Sequence, residues 1–147
     1  FNVSYKGWGL YLQGYSELGV HTWATNAYYW NNGEGNYSKL ALDRYHPANN
    51  PTGSYPRLST TAGENNFRTS SFWLKNTSFF RMKNVELSYT FNQFSPSSVV
   101  KKMKVFARGA NLFVLSSVKD LDPELLNAGV TNYPVTRTFT GGVSFVF

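Results

Sequence analysis

Three acids spaced by two, Asp120, Asp122 and Glu124, come closest in this chain to a metal-binding loop. A calcium loop of the helix–loop–helix type also needs Gly at its sixth position and Glu at its twelfth. Counted from Asp120, those places hold Leu125 and Thr131, so an acidic turn is expected instead. His21 and His46 lie far apart, and neither Glu17 nor Asp43 completes a ligand set with them. A catalytic metal needs three clustered ligands and an open position. Cysteine is absent, which excludes thiolate metal sites and a Cys nucleophile. A glycosidase needs two carboxylates facing across a cleft, and the acids here are scattered, mostly over loops. Gly7-Trp8-Gly9 and Gly33-Glu34-Gly35 are too short to cradle phosphate, and no Gly-x-Ser-x-Gly elbow occurs. No cofactor, no metal and no enzymatic activity are expected.

Binding chemistry is better represented. Trp23, Tyr28, Tyr29 and Trp30 crowd one Asn-rich stretch. Flat rings stack on sugar faces, and an Asn amide both donates to and accepts from hydroxyls. These four rings are the candidate ligand-binding residues. Packing within the loop, or against a partner protein, uses the same residue types. The net charge is +6, but the basic residues are dispersed apart from Lys101, Lys102 and Lys104. Nucleic-acid binding calls for a continuous basic patch beside stacking rings, so a wetted turn is the expectation and no nucleic-acid partner.

Alternating strands must position these residues. Period two is visible over residues 1–5, 8–16, 79–91, 104–117 and 137–147. Lys6-Gly7 forms a tight turn between the first two. In the second, Trp8, Leu10, Leu12 and Gly14 oppose Gly9, Tyr11, Gln13 and Tyr15. In the third, Val85, Leu87, Tyr89 and Phe91 oppose Asn84, Glu86, Ser88 and Thr90, with Arg81 and Lys83 counted on the apolar face. In the fourth, Arg108 must face a polar interior if the strand crosses a bilayer, which sends Val105 and its set outward. In the last, Phe139, Gly141, Val143, Phe145 and Phe147 oppose Thr138, Thr140, Gly142, Ser144 and Val146.

A strand of about ten alternating residues suits a tilted crossing of a bilayer. Soluble edge strands protect themselves with charge, Pro or a bulge, and nothing charged follows Arg137. The polar positions Tyr11, Gln13, Asn84, Glu86 and Arg108 are therefore the expected lumen-facing set.

Residues 17–78 and 118–136 lose the period and carry turn signals. These include Asn31-Asn32-Gly33, Asn49-Asn50-Pro51, Gly63-Glu64-Asn65-Asn66, Asp122-Pro123 and Tyr133-Pro134. One island, Tyr37 to Tyr45, suggests a short helix stopped by Pro47. Asn92 to Lys102 reads as a turn region around Pro96. Long loops on one side and short turns on the other are the pattern of outer-membrane barrels. That polarity makes the two long loops extracellular and puts the C-terminus on the periplasmic side.

Composition agrees with a barrel. Aromatics make up 18% of the 147 residues and charged residues 15%, against about 25% charged in an average chain. No apolar run is long enough for a transmembrane helix. Phe1 to Tyr5 is no signal peptide and reads as mid-strand. The chain is expected to be one end of a larger barrel, with its targeting signal elsewhere.

At this point the residues show a family resemblance. Tyr55-Pro56-Arg57-Leu58 is followed by Ser71-Phe72-Trp73-Leu74-Lys75-Asn76, then by Phe80-Arg81-Met82-Lys83-Asn84-Val85-Glu86-Leu87-Ser88-Tyr89-Thr90. Gly109-Ala110-Asn111-Leu112-Phe113, Asp122-Pro123-Glu124 and Arg137-Thr138-Phe139 with Gly142-Val143 complete the series. In order and spacing these resemble the C-terminal region of SusC/RagA-like TonB-dependent outer-membrane transporters. Phe80 and Met82 stand where the family commonly has Leu, and Asn92 where Pro often follows.

The resemblance implies an all-β fold, the antiparallel C-terminal strands of a barrel of about 22 strands with long extracellular loops. It implies nutrient import of oligosaccharides or peptides, with the barrel plugged by a domain absent from this chain. The partners implied are the remaining barrel and plug, a SusD-like surface lipoprotein, TonB, the barrel-assembly machinery and outer-membrane lipid. Phe145 and Phe147 would form the assembly signal. The contrasting expectation is a soluble β-sandwich that binds carbohydrate, which requires a second sheet over the Phe139–Phe147 face.

Overall fold

The computed structural model describes residues 1–31, 36–59, 65–92 and 99–147. The turn signals at Asn32-Gly33, Gly63-Glu64 and Pro96, and the Gly33-Glu34-Gly35 triplet, fall outside the described residues. The chain divides into two compact units. A sheet unit comprises Phe1–Leu18, Ser78–Ser116 and Val135–Phe147; a loop unit comprises Gly19–Thr77 and Ser117–Pro134.

The strands of the chain are β1 (Asn2–Tyr5), β2 (Trp8–Glu17), β3 (His21–Trp23), β4 (Leu74–Asn76), β5 (Phe79–Phe91), β6 (Lys102–Ser116) and β7 (Thr138–Val146). The sheet unit is one antiparallel five-stranded sheet in the order β1-β2-β5-β6-β7. Lys6 and Gly7 both adopt positive φ, 45° and 90°. That is the type I′ geometry whose twist suits a two-residue hairpin, and Tyr5 pairs with Trp8 across it. A Cβ on Gly7 would come within 2.8 Å of the Thr90 carbonyl oxygen, so close strand approach reinforces the need for glycine here.

Register sorts the side chains onto two faces, because directly paired residues share a face. Val3 pairs with Leu10, Leu10 with Leu87, Leu87 with Ala107, and Ala107 with Gly141. This face also holds Trp8, Tyr89, Val105 and Val143, paired in sequence. It carries no charge from Trp8 to Leu12, from Val85 to Phe91 or from Phe139 to Phe145. Trp8 meets Tyr89 edge-on at 4.9 Å, and Tyr89 meets Phe91 at 4.7 Å. The opposite face pairs Asn2 with Tyr11, Tyr11 with Glu86, Glu86 with Arg108, and Arg108 with Thr140.

One expectation about β5 needs correction. The β2–β5 register shifts between Gln13 and Gly14, and the β5–β6 register shifts between Met82 and Asn84. An extra residue in one strand bends it and resets which residues share a face. Arg81 therefore pairs with Tyr15, on the polar face, instead of continuing the Val85 face. Its guanidinium lies over the Phe79 ring at 5.9 Å, and the Lys83 ammonium lies over Tyr15 at 5.3 Å. In β6 the compensating irregularity falls at Asn111, with φ of 52°. Asn tolerates this region better than most residues, and its amide donates to the Thr136 carbonyl at 3.2 Å.

The loop unit is more ordered than its sequence suggests. β3 and β4 form a two-stranded sheet that pairs Thr22 with Lys75. Short 3-10 helices cover Lys39–Asp43, Asn65–Phe67, Ser71–Trp73 and Pro123–Ala128. The first occupies the middle of the island expected over Tyr37 to Tyr45. A single core joins Ala24, Tyr29, Tyr55, Trp73 and Leu126, with Trp30, Phe67, Val118 and Leu121 packed against it. Fully burying one large apolar side chain contributes about 1.5–3 kcal/mol.

Most polar groups within this core are paired, the Trp30 indole N–H being a buried exception among the described residues. Trp73 donates to the Asn66 carbonyl at 3.1 Å. The Tyr55 hydroxyl donates to the Tyr29 carbonyl at 2.7 Å and accepts from the Asn31 side chain at 2.8 Å. Burial raises the Tyr55 hydroxyl above its ordinary pKa, and pushes that of Tyr29 up to about 12 with a further contribution from Asp120.

Candidate functional site

The polar face of the sheet brings together every residue expected to face a lumen. Tyr11, Gln13, Asn84, Glu86 and Arg108 lie on that face, linked by the pairs Tyr11–Glu86, Gln13–Asn84 and Glu86–Arg108. Asn84 donates its amide to the Gln13 carbonyl oxygen at 2.7 Å. Glu86 is the centre of the arrangement. One carboxylate oxygen accepts from the Lys104 ammonium at 2.7 Å, and the other accepts from Arg108 Nε at 2.9 Å and from Nη2.

The Glu86 side chain is 11% exposed, while Lys104 and Arg108 are 42% and 52% exposed. One largely buried anion thus holds two cations that still face water. Both cations lie over the Phe106 ring, at 5.8 and 5.6 Å. Phe106 pairs with Gly142, where a Cβ would meet the ring at 2.6 Å. The missing side chain on β7 is what lets the ring lie flat under the two charges. Around this cluster is a depression of about 470 Å³ that also touches Asn2, Tyr11 and Ser88.

Sequence reading missed Lys104 and Phe106 as members of this cluster. Its neighbours Lys101 and Lys102 make Lys104 read as a turn lysine, although it lies two positions beyond Lys102 on the same face as Arg108. The alternation Lys104, Phe106, Arg108 is the sequence signal that places them on one face.

The four candidate ligand-binding rings separate. Trp23, in β3, is 42% exposed. Tyr29 is 4% exposed and belongs to the core, and Tyr28 and Trp30 pack against that core. Tyr28 meets Tyr29 edge-on at 5.2 Å, and Trp30 lies 6.1 Å from Trp73. Packing thus occupies three of the four rings. A cleft of about 410 Å³ within the loop unit is lined instead by Asp43, Tyr55, Phe72, Lys75 and Lys119 among others.

The acidic series is likewise structural. Asp122 accepts from the Glu124 amide at 3.1 Å and caps the Pro123–Ala128 helix. Asp120 pairs with Lys39 at 3.3 Å. Burial raises the Glu124 carboxyl above its usual range. Among the described residues, no three His, Cys, Asp or Glu side chains gather as a metal site. Among the described residues no helix is long and apolar enough to cross a membrane, which leaves crossing by strands open.

No protein-family model matches the chain. The TonB-dependent receptor SusC of Bacteroides thetaiotaomicron is 35% identical over 81 residues, covering 53% of this chain and 8% of that protein. The TonB-dependent receptor P26 of Formosa agariphila is 29% identical over 163 aligned positions, covering 99% of this chain and 16% of that protein. Among solved structures, the RagAB peptide importer in its open-open state is 28% identical with a TM-score of 0.73, over 98% of this chain and 16% of that one. Its closed-closed state gives 27% and 0.73 over 97% of this chain and 16% of that one.

Over nearly its whole length the chain is similar to SusC/RagA-like TonB-dependent transporters, matching a short part of each. It spans 16% or less of the length of these relatives. TonB-dependent transporters are outer-membrane β-barrel proteins, and a two-faced antiparallel sheet is the form of a barrel wall. The apolar face reinforces this over a sandwich. Phe139 is 76% exposed, Val143 51% and Phe145 50%, with no second sheet packed on that face among the described residues of its unit.

Proposed function

We propose that this chain forms barrel wall and outside loops of an outer-membrane nutrient importer of the SusCD type. The single observation that carries this is the sheet itself: uncharged and aromatic on one face, polar and charged on the other. The likeness to the RagAB importer over nearly the whole chain supports it. In this reading the apolar face meets lipid. Tyr11, Gln13, Asn84, Glu86 and Arg108 face the lumen and its plug. The barrel has about 22 strands, most of them outside this chain.

Loops 17–78 and 118–136 face the cell exterior, where a SusD-like lipoprotein would cover the mouth. The C-terminal strand ends on the periplasmic side, and Phe145 and Phe147 present its edge to the assembly machinery. Strand addition at an open sheet edge is the physical basis for such reading. TonB acts through parts of the transporter outside this chain. Peptides are the solute class named for the RagAB importer, oligosaccharides are the other class that the sequence resemblance implies, and no catalytic step is assigned.

Peptide mapping of native, detergent-extracted outer membranes tests the reading. Peptides of this chain should arise from a membrane species several times larger than 16.6 kDa that co-purifies with a surface lipoprotein. A detergent-independent species of 16.6 kDa would refute it.

A further inference from the structure

The charge of this chain is unevenly placed. Eight of its fourteen basic residues but only two of its eight acids belong to the sheet unit, which therefore carries the whole net charge of +6. Within that unit several cations gather on the polar face. Lys102, Lys104 and Arg108 share the polar face of β6 with Phe106. Lys83, turned by the β5 irregularity, lies over Tyr15 on the polar face of β2. The acids on that face are Glu86, already engaged by two cations, and Glu17.

Lipid phosphate does not explain the cations named here, because their side chains lie opposite the apolar face. A cleft lined by one sign of charge concentrates ligands of the other sign. Lys104 and Arg108 border the 470 Å³ depression while keeping about half their surface free.

We infer that the polar face around Glu86, Lys104 and Arg108 is a recognition site for carboxylate-bearing solutes. The inference rests on the reading of this face as lumen. Glu86 positions the two cations and neutralises one charge, leaving one positive charge to offer a carboxylate. Arg108 and Lys104 supply N–H donors, and charge-assisted hydrogen bonds are the stronger kind. The Tyr11 ring, which lines the depression and is 39% exposed, gives the apolar part of the solute a flat surface. Acidic peptides and uronic-acid oligosaccharides share this chemistry, and neutral oligomers lack it.

Binding to the full-length transporter tests this. The probes are an oligoglutamate and an oligoglutamine peptide of equal length, and an oligogalacturonate and its methyl ester. The wild type should prefer at least one acidic probe over its neutral partner by about ten-fold, with the preference falling as salt rises. Whichever pair shows the preference identifies the solute source.

The triple variant E86Q/K104Q/R108Q removes the buried charge together with both partners and should abolish the preference. K83Q/K102Q changes only exposed side chains and should reduce it about two- to three-fold, so the test survives if the triple variant fails to assemble. Absence of preference in the wild type, or equal loss of acidic and neutral binding in both variants, overturns the inference.

The lumen reading is checked separately with Thr140→Cys, opposite Arg108, and Val143→Cys, opposite Val105. A membrane-impermeant maleimide should label the first and spare the second in intact outer membranes. The reverse pattern would sink the lumen reading. Labelling as expected without charge preference would sink the inference alone.

Discussion

The two units of this chain bury opposite things. In the loop unit the buried side chains are chiefly aromatic and aliphatic: Ala24, Tyr29, Ala41, Tyr55, Trp73 and Leu126. In the sheet unit Phe79 is the one buried large hydrophobe among the described residues, beside Arg81, Glu86 and Ser88. Its Leu87, Val105, Phe139, Val143 and Phe145 are exposed. The loop unit is thus built like a water-soluble protein with its own core. The sheet is built for a solvent that is apolar on one side. In water, each such exposed patch would be a liability; in lipid it becomes the stabilising surface.

The largest test of this contrast is Trp73→Ala. Trp73 is 2% exposed and contacts Tyr55, Phe67 and Phe72. Truncating a buried Trp costs about 3–5 kcal/mol. Limited proteolysis of the full-length transporter in membranes should show rapid cleavage within residues 19–77, while the sheet strands stay protected. Equal protection in variant and wild type would mean that the loop unit has no core of its own.

Next in size is a charge placed on either side of the sheet. Val143→Lys puts an ammonium on the apolar face; at mid-bilayer this costs about 2–4 kcal/mol, and less toward the interfaces. Thr140→Lys, on the polar face, is expected to stay within about 0.5 kcal/mol, as surface changes do. Assembly yield and heat-dependent gel mobility should fall for the first and not the second. If both behave alike, the faces have been assigned wrongly.

The antiparallel all-β character was legible because a wall between lipid and a polar interior forces period two onto the sequence. Glu86 and Arg108 stand out for the same reason, as charges among alternating apolar residues. The β5 irregularity was not legible. Lys83 and Asn84 are both polar, so an extra residue there leaves no trace in the alternation, and Arg81 was assigned to the wrong face.

The loop core was hidden for another reason. Its contacts join Ala24, Tyr55, Trp73 and Leu126 across long stretches of chain, and no local period encodes them. Turn signals such as Asn49-Asn50-Pro51 say nothing of that unit's interior. Tyr28, Tyr29 and Trp30 therefore looked available when packing had taken them.

A smaller change probes that interior without making a cavity. Tyr55→Phe keeps the ring and removes the hydroxyl that links Asn31 to the Tyr29 carbonyl. Leaving a buried donor unmatched costs about 1–3 kcal/mol. The loop unit should open more readily to proteolysis, with an effect below that of Trp73→Ala. Hydrogen exchange at the Asn31 amide, which donates to Tyr55 at 3.1 Å, should quicken with it.

The smallest effect is a pH dependence at Asp43 in the loop unit. Asp43 accepts from the Ser54 hydroxyl, the Ser54 amide at 3.1 Å and the Asn50 amide at 3.2 Å. These hydrogen bonds hold its carboxyl below the ordinary value of 3.8. A depressed folded-state pKa means that the unfolded chain binds its proton first. The stabilisation is therefore complete above the ordinary value and is lost as pH falls through the folded one. Proteolysis within residues 43–55, using an acid-stable protease, should rise more steeply below pH 3.8 in the wild type than in Asp43→Asn. An equally steep rise in the variant would show that other carboxyls govern the opening, and that the Asp43 knot does not anchor this part of the loop unit.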